Sequence, residues 1–159
     1  MTTTTPEIVP QTSRFKFTLW HAFLVTIVLG LFISGYLSYT RLSNTATACA
    51  ANSVFNCDYV TNSLYSQLFG VPVAYLGFAV YVILGVLALF ENRVSFLREY
   101  GIFLQFGLAL FAWMFSMWLV YVQFFLLQTL CPWCLSHEAN FTVLFGIVCF
   151  RLYKSLQTD

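Results

Sequence analysis

Cys131-Pro132-Trp133-Cys134-Leu135-Ser136-His137-Glu138 opens the last long apolar run of the chain, which continues to Phe150. A Cys-x-x-Cys pair is a redox signature before it is a packing one. Its place at the head of a helix adds chemistry, with Cys131 near the N-cap and Pro132 at the first helical position, where proline's missing N–H costs nothing. The partial positive charge of a helix N-terminus favours the thiolate, which is the form that attacks disulfides and gives up electrons. A pair of inert structural cysteines is the alternative reading of the same four residues.

Composition sets the solvent for that helix. The chain has 159 residues, of which 60% are hydrophobic and 8% charged, against about 25% charged in a soluble domain. It reads as an all-α integral membrane protein. Four runs are long enough for a hydrocarbon core that takes about 20 apolar residues to cross, at roughly 17–39, 71–90, 100–127 and 134–153. Ser136, His137, Glu138, Asn140 and Thr142 interrupt the fourth. The first is too long for a cleavable signal peptide and no small-residue site closes it. Residues 1–13 are Thr-rich, with Pro6 and Pro10, and read as a flexible cytoplasmic tail ahead of one membrane domain, 14–159.

Lysines and arginines crowd the cytoplasmic loops of inserted proteins. With four spans both ends share a side, and Arg14, Lys16, Arg93, Arg98, Arg151 and Lys154 fall on it, leaving Arg41 alone on the other. The ends are therefore expected in the cytoplasm, while 40–70 and 128–131 face outward. A net charge of +1 gives no support to a nucleic-acid partner.

The first outer loop holds Cys49 and Cys57, close enough in sequence to form a disulfide. From Val54 to Phe69, apolar residues recur at mainly helical spacing with Asn56, Asp58, Asn62 and Ser66 between them, predicting a short amphipathic lid helix at the membrane surface. Gly70-Val71-Pro72 then ends it and starts the second span. Gly30 and Ser34 in the first span are spaced as a small-xxx-small pair, which lets a neighbouring helix come close. Gln105 and Gln123 in the third span are expected to hydrogen-bond to neighbouring helices, Gln123 at the level where a ligand could use it. Asp58 reads either as an orienter of the loop or as a solvated acid.

On the last helix Cys131, Cys134 and Glu138 follow at i, i+3 and i+7 and share a face with Phe141 and Phe145, bordered by His137. A carboxylate at membrane depth is costly, by about 2.5–3.5 kcal/mol for a central charge. Glu138 is thus either buried toward the bundle, hydrogen-bonded or protonated, or else reaches the outer headgroups. Cys149 lies deeper and reads as a small apolar filler.

Four of the five cysteines fall on the outer side, in two pairs. Two pairs make a relay, since thiolate attack on a disulfide passes two electrons from pair to pair with no metal. Zinc would need better ligand spacing than Cys-x7-Cys plus Cys-x2-Cys across two loops, so no metal site is expected.

These residues resemble the vitamin K epoxide reductase family, in particular its bacterial members. The resemblance rests on Cys49 and Cys57, Asp58 and Ser63, Tyr65-Ser66, Gly70-Val71-Pro72 with Gly77, and Cys131-Pro132-Trp133-Cys134 heading the fourth span, and so covers nearly everything from the first span onward. It implies a four-helix bundle around a quinone of ubiquinone, menaquinone or vitamin K type, capped by the loop helix. It also implies a direction, in which a thioredoxin-fold (DsbA-like) protein is oxidised by Cys49–Cys57, that pair by Cys131–Cys134, and the latter by quinone. The expected setting is a bacterial cytoplasmic membrane, and Ser63, Ser66 and Glu138 are expected near the quinone.

Two features depart from the family. Many bacterial relatives carry a fused thioredoxin-like domain, whereas this chain ends at Asp159, so the partner is expected to be a separate protein. Animal members have a tyrosine four residues after the Cys-x-x-Cys, where this chain has Glu138; that bears on epoxide reduction and leaves quinone reduction intact. From a different class, a non-catalytic four-span scaffold with fixed disulfides remains the alternative.

Overall fold

Long apolar runs with few helix breakers fold here as helices whose outward faces have no protein to cover them. The computed structural model describes residues 12–49, 54–91 and 93–157, with side chains from residue 19 onward except that of 98. Most of the tail read at 1–13 lies outside the described residues, and Thr12 already belongs to the first helix. The helices are α1 (Thr12–Leu42), α2 (Cys57–Asn62), α3 (Val73–Phe90), α4 (Ser95–Tyr121) and α5 (Pro132–Leu156), with a two-residue pair of strands, β1 (Gln67–Leu68) and β2 (Val71–Pro72), ahead of α3. Four of them, α1, α3, α4 and α5, are long and apolar enough to cross a membrane. Phe32 and Phe111 on their outer faces are 78% and 72% exposed, as befits side chains whose solvent is lipid. The protein is a multi-pass membrane protein with a four-helix bundle.

The helices close a ring in which α1 touches α3 and α5, and α4 touches α5 and α3. Small residues set the closest approach. A Cβ on Gly30 would fall within the ring of Tyr81, so the missing side chain of α1 is the seat for the largest buried residue of α3. Ser34 is buried one turn on and donates to the Gly30 carbonyl at 2.6 Å. Asn140 of α5 then ties three helices, its Nδ2 donating to the Thr26 carbonyl at 2.9 Å and to the Tyr81 hydroxyl at 3.0 Å. Below lies an apolar layer that includes Phe23, Leu84, Leu144 and Val148.

A second polar tie closes the end of the bundle remote from the cysteines. Arg151 Nη2 bonds Glu91 Oε2 at 2.7 Å and Nη1 bonds Gln105 Oε1 at 2.9 Å, with the guanidinium 5.1 Å over the Phe23 ring. Both charges of this tie, Arg151 and Glu91, thus have a partner, which is the condition for keeping an ion pair out of water. Gln105 thus makes the interhelical bonds its sequence position suggested.

The lid is shorter than its helical spacing predicts. Helix α2 stops at Asn62, because Ser63 turns extended and both its N–H and its hydroxyl bond the Val60 carbonyl. A single 3-10 turn (Leu64–Ser66) and the β1–β2 hairpin follow. Phe69 and Gly70 form the two-residue hairpin loop, with φ of 53° and 81°, the positive values that such loops demand.

Candidate active site

Two backbone hydrogen bonds bring the cysteine pairs together. Phe55 and Leu130 form a parallel bridge, with Asn56 N–H donating to the Leu130 carbonyl at 3.2 Å and Leu130 N–H to the Val54 carbonyl at 2.9 Å. Asn56 immediately precedes Cys57 and Leu130 immediately precedes Cys131. The two cysteines consequently share one buried cluster with Val60, against which Cys49, Cys134 and Trp133 pack. Cys49 and Cys57 form a disulfide with Cα atoms 6.1 Å apart, while Cys131 and Cys134 are free thiols.

The loop carrying Cys49 is clamped on both sides. Ala48 N–H donates to the Tyr36 hydroxyl at 2.9 Å, and the Ala48 carbonyl accepts from the Trp133 indole at 2.7 Å. The rings of Tyr36 and Trp133 meet at 4.8 Å. Asp58 Oδ1 accepts from Thr47 N–H at 2.9 Å, so Asp58 orients this loop. Tyr36 and Trp133 are positioning residues that the sequence reading passed over; an indole inside the Cys-x-x-Cys was the available signal.

Gln123 does the same for the second pair. After Tyr121, α4 widens into a π turn over Val122–Leu126, closed by Leu127 N–H on the Val122 carbonyl at 2.9 Å. The widened turn aims the buried Gln123 side chain at the next helix, where its Oε1 accepts from Cys131 N–H at 3.1 Å. Cys131 is the N-cap of α5, its Sγ accepting from Cys134 N–H at 3.2 Å. The hydrogen bond from the Cys134 thiol holds the Cys131 pKa below its ordinary value against the opposing effect of burial, and the N–H groups of Cys134 and Trp133 help. Cys131 thus ionises more readily than an ordinary thiol, which suits it to nucleophilic exchange.

Beneath the sulfurs lies a cavity of about 420 Å³, within the size range of small-ligand sites. Cys134, Glu138, Ser63 and Ser66 all line it, together with apolar side chains of α3 and α4. Glu138 is 7% exposed and is turned into the bundle. Its Oε1 lies 3.4 Å from His137 Nδ1, while Oε2 is buried with no hydrogen-bond partner among the described residues. A Cβ at residue 77 would stand 3.2 Å from His137 Nε2, so any larger residue there would require the imidazole to give way. Ser63 and Ser66 commit their hydroxyl protons locally, to the carbonyls of Val60 at 2.8 Å and of Ser63 at 2.7 Å. They therefore shape the wall without a free donor. Cys149 is a partly buried free thiol on α5, which carries it away from the cysteine cluster.

A buried meeting of two cysteine pairs at one end of a four-span bundle defines a membrane disulfide oxidoreductase. The chain belongs to the vitamin K epoxide reductase family, whose family model matches residues 21–149. That family is associated with quinones in general.

Proposed function

We propose that this protein is a quinone-dependent thiol–disulfide oxidoreductase that reoxidises a separate thioredoxin-fold protein on the outer face of a bacterial cytoplasmic membrane. One observation carries the reading. Within Cys131–Cys134 the two sulfurs have different neighbours, Cys131 being buried against Cys57 and Cys134 lining the cavity. Electrons arriving by disulfide exchange at one sulfur can therefore leave from the other.

The cycle begins with both pairs oxidised. A partner thiolate attacks Cys49, breaking the Cys49–Cys57 bond and releasing Cys57 as a thiolate. Cys57 attacks Cys131, and Cys134 leaves as a thiolate. The second partner thiolate displaces Cys49, so the partner departs with its own disulfide. Cys49 then reclaims Cys57, and Cys131 is released into the hydrogen bonds that stabilise its anion. At that point the loop pair is oxidised and the helix pair reduced, as in the structure.

The cavity fits a quinone ring in volume and in its mainly apolar walls, and the unpartnered Glu138 Oε2 provides a polar contact inside it. A bound quinone would accept two electrons and two protons and leave as quinol. Cys134 faces it with the electrons, and Cys131 closes the Cys131–Cys134 disulfide behind it. Glu138 is assigned the hydrogen bond and proton toward one quinone oxygen, with Ser63 and Ser66 forming the adjacent wall.

The order of exchange is tested by Cys49→Ala, which removes the thiol that reclaims Cys57. A Cys57–Cys131 bridge should accumulate. With a protease site placed between α3 and α4, the cleaved halves should stay joined on a non-reducing gel and part on reduction. Separate halves, or a bridge through Cys134, would contradict the assigned order. Organic extraction of the purified protein should yield a quinone.

A further inference from the structure

The cavity wall contains a second orphaned polar atom, opposite in character to the acid. Ser116 of α4 is 6% exposed, lines the cavity, and its Oγ is buried with no hydrogen-bond partner among the described residues. A hydroxyl left in that state costs about 1–3 kcal/mol, so a membrane helix retains one most readily where a ligand completes it. Its neighbours on the same wall, Leu108, Phe111, Ala112, Phe115 and Leu119, bring no polar side chain. Gln123, further along, has its Oε1 engaged by the Cys131 N–H. Of the other hydroxyls of the wall, those of Ser34, Thr61, Ser63 and Ser66 donate to backbone carbonyls, and Tyr65 is exposed rather than buried.

Resting on the quinone reading above, we propose that Ser116 is the anchor for one quinone carbonyl, donating a hydrogen bond from α4 while Cys134 and Glu138 act from α5. Small side chains support the placement. Ala112 precedes Ser116 by one helical turn, and Ala74 and Gly77 line the wall contributed by α3, leaving a slot between α3 and α4 that a flat ring can enter. The division of duties is then testable, because an anchor present in both ground and transition states affects binding, whereas an acid affects the chemical step.

The experiment uses the full-length purified protein with reduced thioredoxin-fold substrate and a short-chain quinone. Ser116→Ala should raise the quinone KM by about tenfold, the worth of one hydrogen bond, and leave kcat within about twofold. Ser116→Thr, which keeps the hydroxyl, should restore the parental KM. Glu138→Leu should instead lower kcat, with Glu138→Gln intermediate. Independently of turnover, Ser116→Ala should retain less quinone through purification, and the infrared carbonyl band of what remains should move up in frequency as the hydrogen bond is lost. A parental protein that binds quinone, with Ser116→Ala matching it in KM and carbonyl band, overturns the anchor alone. A parental protein that neither binds nor reduces quinone overturns the quinone reading and the anchor with it.

Discussion

Cys131 shows how few atoms are needed to divide a dithiol into two roles. Its sulfur receives hydrogen bonds from the Cys134 thiol first, and then from the N–H groups of Cys134 and Trp133, which together outweigh burial and the nearby Asp58 charge. A depressed thiol pKa means that the anion persists to lower pH than an ordinary thiolate and is lost only as pH falls through the depressed value. In a Cys149→Ala background with the loop pair oxidised, the ultraviolet thiolate signal of the reduced protein should accordingly persist to lower pH than that of an ordinary thiol. Cys134→Ala removes the largest stabilising contact, so the titration should move to higher pH; an unchanged curve would mean that the backbone donors suffice. Spacing placed Cys131, Cys134 and Glu138 on one face of the last helix, but it left open whether Glu138 turned into the bundle or out to the headgroups, which the burial of its side chain decides. Gln123 was legible only as a polar residue at the right level, since its aim at Cys131 comes from a π turn that 3.6-residue periodicity does not encode. Ser116 was not legible at all, because a lone serine in an apolar helix reads as small packing until its hydroxyl is seen to lack a partner.

At the scale of the element, the fit of α1 on α3 depends on one absent side chain. Gly30 and Ser34 announced a close helix contact, but nothing in their spacing could say which of three other helices would use it. The answer is the Tyr81 ring, buried in the notch and tied through its hydroxyl to Asn140. Gly30→Ala should push α1 and α3 apart and destabilise the protein by about 1–3 kcal/mol, the usual range for overpacking. Thermal unfolding in detergent should register it. Adding Tyr81→Leu empties the notch, so the double variant should be more stable than the sum of the two single effects predicts; strict additivity would show that the two residues do not share the site. The lid illustrates the opposite case, in which apolar spacing ran helically to Phe69 while local hydrogen bonds ended the helix at Asn62. A hydroxyl that can bond its own turn competes with the helix, and spacing does not see that competition.

For the whole molecule the open quantity is direction. Four crossings put Thr12 and Gln157 at one end and the cysteine cluster at the other, with the apolar layer around Leu84, Leu144 and Val148 between them. The cysteine end has Arg41 in the last turn of α1, and that guanidinium is bonded to Asn62 of the lid. It is thus accounted for by the loop structure, whereas Arg93 and Lys154 belong to the remote end, beside the Arg151–Glu91 tie. Cations retained on one side set orientation, and the proposed orientation places the cysteines outside, in a compartment where disulfides persist. Single cysteines introduced into a cysteine-free variant test this in intact cells with a membrane-impermeant alkylating reagent. Ser43→Cys, just after α1, and Thr129→Cys, just before α5, should be labelled without lysis, and Ser95→Cys, at the start of α4, only after it. Labelling of Ser95→Cys in intact cells, with none at the other two sites, would invert the protein. The relay would then meet its partner in a reducing compartment, where a thioredoxin-fold protein has no need of an oxidant, and the proposed direction of electron flow would have to be abandoned along with the orientation.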